Sequence, residues 1–253
     1  MAADLNRGTI VDAIRKALEP LPFIDALVEG GAAAWGRIDA WSDIDLNVFV
    51  QEGTFDEAFR AVEESLRTLS PIEHTFVAHW PAEGGMQQKF YRLSRADPFL
   101  VVDLAVLTPS ATEKFLEPEL HGDSVVYFDK TGVTKVPRLD RREFDRKLWE
   151  RLATLRDQTE MFHVFVEKEM NRGNWIEAIS EYRAYVVGPL LEALRMKHGP
   201  LHHRFRTRYV HYELPGEVVE HLQSLLYVRD ADDLRKKYAE GLRWFREVAA
   251  EVG

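Results

Sequence analysis

The sequence predicts an α+β protein with an N-terminal mixed-sheet domain and a C-terminal helical bundle. Over residues 1–138, segments rich in β-branched and aromatic residues alternate with helical patterns, which is typical of a sheet covered by helices. From residue 139 onward, apolar residues recur only at helical spacing, which indicates a bundle. The change of pattern near residues 135–140 predicts two domains, 1–138 and 139–253.

The first domain is expected to begin with an amphipathic helix, because the apolar residues between Ile10 and Leu18 share one helical face. Another helix is predicted at 54–69, where Phe55, Phe59 and Val62 recur at helical spacing. Strands are predicted at 24–28, 44–50, 74–80, 89–94 and 99–107.

The second domain shows three apolar stripes at helical spacing. They comprise Leu148, Leu152, Leu155, Phe162 and Val166, then Ile176, Ile179, Val186, Leu190 and Leu194, then Leu234, Tyr238, Leu242 and Phe245. Turn chemistry separates the helices at Arg172–Gly173–Asn174 and at Gly199–Pro200. A further helix is predicted at 217–228, after Pro215, so we expect four or five helices.

Composition limits the partners and the location of the chain. The 253 residues carry a formal net charge of −9, so a nucleic acid is an unfavourable partner and a cationic small molecule a better one. No segment approaches the roughly 18 uncharged apolar residues of a membrane span, and no secretory signal is visible. The absence of cysteine excludes disulfides and zinc–thiolate sites. We therefore expect a cytoplasmic protein.

Three aspartates have the pattern of a metal site. Asp43 and Asp45 are two residues apart, so on a strand they share one face while Ile44 and Leu46 reach the core. Asp103 stands in the otherwise apolar run 99–107, where an unpaired carboxylate would be costly. If the two strands are neighbours, the three carboxylates can bind Mg²⁺, and such a cluster can hold two ions.

A glycine pair precedes these acids. Gly30 and Gly31 follow the predicted strand 24–28, and the alanine-rich segment after them can start a short helix. Glycine lets the backbone approach a phosphate closely, and the amino end of a helix favours negative charge. Ser42 directly precedes Asp43. These residues predict a nucleotide site made of Gly30, Gly31, Ser42, Asp43 and Asp45.

This layout resembles the DNA polymerase β-like nucleotidyltransferase superfamily, and most closely its bacterial aminoglycoside and lincosamide nucleotidyltransferases. The resemblance covers residues 28–47 and Asp103, and extends in layout to the helical half. It implies a Mg²⁺-dependent transferase that moves AMP from ATP to a hydroxyl of a small molecule and releases pyrophosphate. In this interpretation domain 1–138 binds NTP and Mg²⁺, and domain 139–253 holds the acceptor.

The resemblance also assigns roles to individual residues. Asp43 and Asp45 would bind the metal that carries the triphosphate, and Asp103 the catalytic metal. In relatives, residues on the helices face the cleft, which suggests acceptor or nucleotide contacts at Lys168, Glu169, Tyr182 and Arg183. Trp35 and Trp41 lie near enough to the motif to stack on a base or substrate ring.

Two departures from the family pattern keep other functions open. Ala32 stands where many relatives have a serine that contacts phosphate, and Trp35 where many have arginine. The alternatives are a nucleotide-binding regulatory protein without turnover and an enzyme that adenylylates a protein partner.

The histidine-rich segment from His198 to His211 offers two further interpretations. Gly199–Pro200 breaks the helical spacing that a zinc site would use. Arg206 and His211 have a spacing seen in HEPN-type ribonucleases, although the basic stretch 202–208 is also compatible with a solvated loop or a phosphate contact.

Overall fold

The computed structural model describes residues 5–80, 84–136 and 138–252. The chain forms two compact units, Met1–Leu139 and Asp140–Gly253. A six-stranded mixed sheet forms in the first unit and the second is helical, which confirms the predicted α+β class. Pro137, inside the predicted boundary segment, lies outside the described residues.

The sheet of the first unit has the order β3–β4–β5–β2–β1–β6. β2 and β5 are parallel, and the other neighbouring strands are antiparallel. The strands are β1 Ile24–Glu29, β2 Ile44–Val50, β3 Ile72–Ala78, β4 Met86–Leu93, β5 Val102–Leu107 and β6 Val125–Asp129. The helices are α1 Arg7–Leu18, α2 Gly31–Ala34, α3 Phe55–Leu69 and α4 Pro118–His121.

The two faces of the central strands pack into different clusters. Ile44, Leu46 and Val48 on β2 are buried in a cluster that includes the apolar faces of α1 and α3. Phe49 points the other way and packs in a second cluster with residues of β1 and β5. Because side chains alternate along a strand, Asp45 shares the face of Phe49 and is not covered by α1 or α3.

The five predicted strands are all present; β2 has the predicted bounds 44–50, and the others differ at one or both ends. β5 begins at Val102 rather than 99, because hydrogen bonds to the carbonyls of Asp97 and Phe99 make the preceding residues a turn. β4 extends back to Met86 through two glutamines, which have weak strand character in sequence. β3 lies at 72–78, two residues earlier than predicted, and the edge strand β6 was missed.

The second unit contains seven α-helices among its described residues, more than the four or five predicted. They are α5 Arg141–Phe162, α6 Val164–Arg172, α7 Trp175–Tyr182, α8 Gly188–His198, α9 Val210–Glu213, α10 Gly216–Leu226 and α11 Ala231–Val252. A π-helical turn, Arg183–Val187, connects α7 to α8, and a 3₁₀ turn follows α8. No helix in the described part of the chain has the length and apolarity needed to cross a bilayer.

The predicted helix ends and apolar stripes are only partly correct. Gly173 ends α6 in the left-handed conformation with φ 78°, as helix-terminating glycines do. The first stripe runs across two helices, since α5 ends before His163 and α6 begins after it. Ile176 is 85% exposed, so its place in the second stripe was wrong. Pro189 has no backbone N–H, which removes a helical donor just after the π-helical turn.

Arg195 on α8 is fully buried and organises the segment that follows its helix. Its guanidinium donates to the backbone carbonyls of Arg206 and Arg208 and pairs with Glu213 at 2.7 Å. We expect Arg195→Met to cost about 3–5 kcal/mol of unfolding free energy, because it removes the buried donor of two carbonyls and the charged partner of the Glu213 carboxylate, which keeps its contact with His202. Urea denaturation measures this loss.

The matched control is Lys197→Met, two residues along the same helix. Lys197 pairs with Glu251 at the surface, and exposed ion pairs contribute less than about 1 kcal/mol. Equal destabilisation by the two substitutions would show that Arg195 does not organise the segment after α8.

Candidate active site

Two of the predicted acids meet at the centre of the sheet. Asp45 on β2 pairs in register with Asp103 on the parallel neighbour β5. Paired residues on adjacent strands point to the same face, with β-carbons about 5 Å apart. Asp43 lies just before β2, where Ile44 continues the ladder by donating to the carbonyl of Val101 at 2.9 Å. The topology therefore juxtaposes Asp45 and Asp103 and places Asp43 at the edge of the pair.

The three carboxylates do not form a closed cluster. Among the described residues, Glu113, Glu117 and His121 form the one group of three acidic or histidine side chains whose possible ligand atoms all lie within 4.8 Å of one another. The oxygens of the three predicted acids are thus farther apart than ligands of a single ion.

A glutamine that the sequence analysis missed is bound to Asp103. Gln88 on β4 donates its side-chain amide to Asp103 Oδ1 at 2.6 Å, and its carbonyl accepts from the Trp80 indole at 3.0 Å. Gln88 pairs with Ala105, two residues from Asp103 on the same face. If the strand had been predicted to begin at Met86, the alternation of side chains along it would have placed Gln88 on the same face as Asp103.

Arg7 links the start of β2 to β1. Its guanidinium donates to the backbone carbonyl of Asp43 and pairs with the buried carboxylate of Glu29. Tyr127 on β6 donates to the same carboxylate. Partial desolvation raises the pKa of the Asp43 carboxyl, although a hydrogen bond from the Val101 backbone and the charge of Arg7 oppose this rise.

The glycine pair packs directly against Asp45. The Gly30 N–H donates to the Asp45 carbonyl at 2.9 Å. Gly31 has φ +54°, and a β-carbon at this position would lie 1.9 Å from Asp45 Oδ2. Only glycine fits here, so the turn packs closely against the Asp45 carboxylate.

The other predicted residues of this unit lie around the turn before β2. Ser42 Oγ donates to Asp39 Oδ1 at 2.8 Å and accepts from the Asp39 N–H at 2.9 Å, so its hydroxyl closes a turn. Trp35 is half-buried, with the Arg37 guanidinium 5.3 Å from its ring centre. Trp41 is 68% exposed and packs edge-on against a neighbouring phenylalanine.

The predicted residues of the helical unit have diverse surroundings. Tyr182 is buried, and its hydroxyl donates to the Leu225 carbonyl at 3.1 Å, which favours packing over the predicted ligand contact. Glu169 accepts from the Asn174 amide at 2.7 Å and pairs with Arg172, so it stabilises the turn between α6 and α7. Lys168 is exposed beside a phenylalanine ring. Arg183 is exposed and lines a pocket.

Comparison with known proteins gives structural neighbours only. No family model and no curated protein matches the chain. The fold is similar to an aminoglycoside 6-adenyltransferase from Bacillus subtilis, with 15% identity, coverage of 98% of this chain and 90% of the other, and a TM-score of 0.35.

It is also similar to a spectinomycin adenyltransferase from Enterococcus faecialis, whose structure contains ATP and spectinomycin. That match has 9% identity, coverage of 98% and 99% of the two chains, and a TM-score of 0.37. Both neighbours are of the class that the sequence resembles. Similarity of this degree assigns neither an activity nor a substrate to this chain.

Proposed function

We propose that this chain is a nucleotidyltransferase that moves AMP from ATP to a hydroxyl of a small molecule and releases pyrophosphate. The observation that carries the proposal is the in-register pair Asp45–Asp103, with Gly31 packed against the Asp45 carboxylate. Two acids on adjacent strands beside a tight glycine turn are suited to a metal-bound triphosphate.

The donor set fits magnesium. Asp43, Asp45 and Asp103 offer only carboxylate oxygens, which are the ligands that Mg²⁺ prefers. We propose that Asp43 and Asp45 hold the ion that carries the triphosphate and that Asp103 holds a second ion. When bound, magnesium supplies charge neutralisation for the phosphates during the displacement.

The residues of the chain position the reactants. The acceptor oxygen forms a bond to the α-phosphorus while the bond from that phosphorus to the pyrophosphate oxygen breaks. The hydroxyl proton passes to the Asp103 carboxylate, which Gln88 orients through its 2.6 Å hydrogen bond. Positioning and charge neutralisation then account for most of the rate.

The acceptor in this proposal is a small hydroxylated molecule. The net charge of −9 favours a cationic compound and disfavours a nucleic acid, which requires a broad basic surface. We assign acceptor binding to the helical unit, because the sheet unit already supplies the acids for the metal and the nucleotide.

The test is transfer of label from ATP carrying ³²P at the α-phosphate. The protein is incubated with Mg²⁺ and aminoglycosides, lincosamides or tRNA at physiological salt, and pyrophosphate release is followed in parallel. We expect label on a small molecule together with stoichiometric pyrophosphate. Label on tRNA alone would contradict the proposed acceptor class.

The same assay separates the alternatives. The departures at Ala32 and Trp35 favour a nucleotide-binding protein without turnover, which would bind ATP tightly and release no pyrophosphate with any acceptor. An enzyme that modifies a protein would instead transfer label to a polypeptide in a cell lysate. Either result would replace the proposed function.

A further inference from the structure

The helical unit contains an open pocket of about 1750 Å³, and all its lining residues come from this unit. Aromatic side chains form part of its wall, namely Phe162, Tyr185 and Tyr227. Phe162 and Tyr185 pack together with ring centres 5.6 Å apart. A concave site with aromatic walls and a few polar groups is the usual form of a small-molecule site.

The charge of this pocket is opposite to that of the chain. Its lining includes four arginines and two histidines, and Glu192 is its single carboxylate among the residues described. Arg151 holds Glu192 through two hydrogen bonds of 2.8 and 2.7 Å, and His203 adds a third contact at 3.3 Å. Burial alone would raise the pKa of Glu192, but these partners outweigh it and lower the pKa to about 2. The single acid is therefore already compensated.

Three arginines remain to give the pocket its positive charge. Arg183, Arg204 and Arg206 are exposed on its wall. Among the described residues of the lining, the one carboxylate, Glu192, is already paired with Arg151 and does not neutralise these three arginines. A protein with 42 acids and 33 lysines and arginines thus concentrates cations in one concavity. Such an arrangement attracts anions and repels cations.

Two irregular backbone segments supply these side chains. The π-helical turn Arg183–Val187 places Arg183 and Tyr185 on the wall, and such turns occur frequently at functional sites. Arg206 has φ +52°, a strained conformation for a non-glycine residue. The buried Arg195 holds it there by donating to the Arg206 carbonyl at 2.7 Å. Backbone strain is often found at functional sites. The strained Arg206, held in place by the buried Arg195, therefore suggests that the pocket has a function.

We propose that this pocket is a binding site for a small aromatic molecule that carries a phosphate group. Arginine binds phosphate through paired N–H donors, and the aromatic wall covers an apolar ring. The ligand of this pocket is anionic, whereas the acceptor proposed above is cationic. Binding in the pocket does not depend on the transfer reaction.

Calorimetric binding of 1-naphthyl phosphate to the full chain, without nucleotide or Mg²⁺, tests the proposal. We expect 1-naphthyl phosphate to bind at least about tenfold more tightly than 1-naphthol or 1-naphthylamine, because a charge-assisted hydrogen bond changes affinity by that order. Binding should weaken as salt is raised. Absence of binding, or equal binding of the amine, would overturn the assignment.

Variants locate the site. Arg183→Gln and Arg204→Gln should each weaken binding of 1-naphthyl phosphate about tenfold with unchanged thermal stability, since both side chains are exposed. Arg243→Gln is the control, because Arg243 is an exposed arginine of the same unit outside the pocket. Equal loss in all three variants would indicate a general charge effect and contradict the site. If the chain binds 1-naphthyl phosphate but transfers no AMP, the proposed function is disproved and the assignment of the pocket stands.

Discussion

Asp45→Asn and Asp103→Asn are each expected to lower AMP transfer by about 10³-fold or more. Asparagine keeps the shape of aspartate and removes its negative charge, so the metal and the phosphates lose a ligand and a compensating charge. The two residues face each other across β2 and β5, and neither can replace the other. Steady-state transfer with Mg²⁺ measures the effect.

The fold should survive these substitutions. Removing one of several close carboxylates relieves repulsion, so the melting temperature should hold or rise. Asp56→Asn is the matched control, because Asp56 is exposed on α3, whose apolar side packs on the opposite face of the sheet. Near-normal transfer by both Asp45→Asn and Asp103→Asn would rule out the metal assignment.

Gly31→Ala is expected to reduce transfer by at least about 10²-fold through displacement of Asp45. The added β-carbon would lie 1.9 Å from Asp45 Oδ2 and 2.4 Å from its Cγ, so the carboxylate or the turn must move. Misplacement of a catalytic group by about 1 Å can cost that much. The φ of +54° adds a backbone penalty of about 1 kcal/mol or more.

Gly36→Ala separates the collision from the backbone penalty. Gly36 also has a positive φ, +62°, but a β-carbon there would meet nothing within 4 Å. We expect this variant to lose stability without losing transfer. If the two alanine variants retained the same activity, close packing of Gly31 on Asp45 would have no catalytic role.

The sequence was informative where one local pattern decides the structure. The alternation Ile44, Asp45, Leu46 defined β2 and its buried face, because an apolar row must reach a core. Asp103 was visible as an acid in an apolar run. The pairing of Asp45 with Asp103 could be predicted only on the assumption that their strands are neighbours, because no local pattern specifies the strand order.

Other features depend on contacts between distant segments. Arg7 and Gln88 were missed because each binds a partner that only the sheet topology brings near. Tyr182 has helical spacing compatible with a core or a ligand contact, and its burial reflects packing against α10 and α11. The π-helical turn and the strained Arg206 arise from tertiary packing, so the cationic pocket could not be predicted from its residues alone.

Binding of Mn²⁺ tests the metal site most directly, because its electron paramagnetic resonance signal falls when the free ion is taken up. The wild-type chain without nucleotide should bind Mn²⁺, and so should Asp56→Asn. Asp45→Asn and Asp103→Asn should bind it at least about tenfold more weakly, as expected for loss of a carboxylate ligand. Undiminished Mn²⁺ binding by both variants would contradict the proposal that Asp45 and Asp103 are metal ligands.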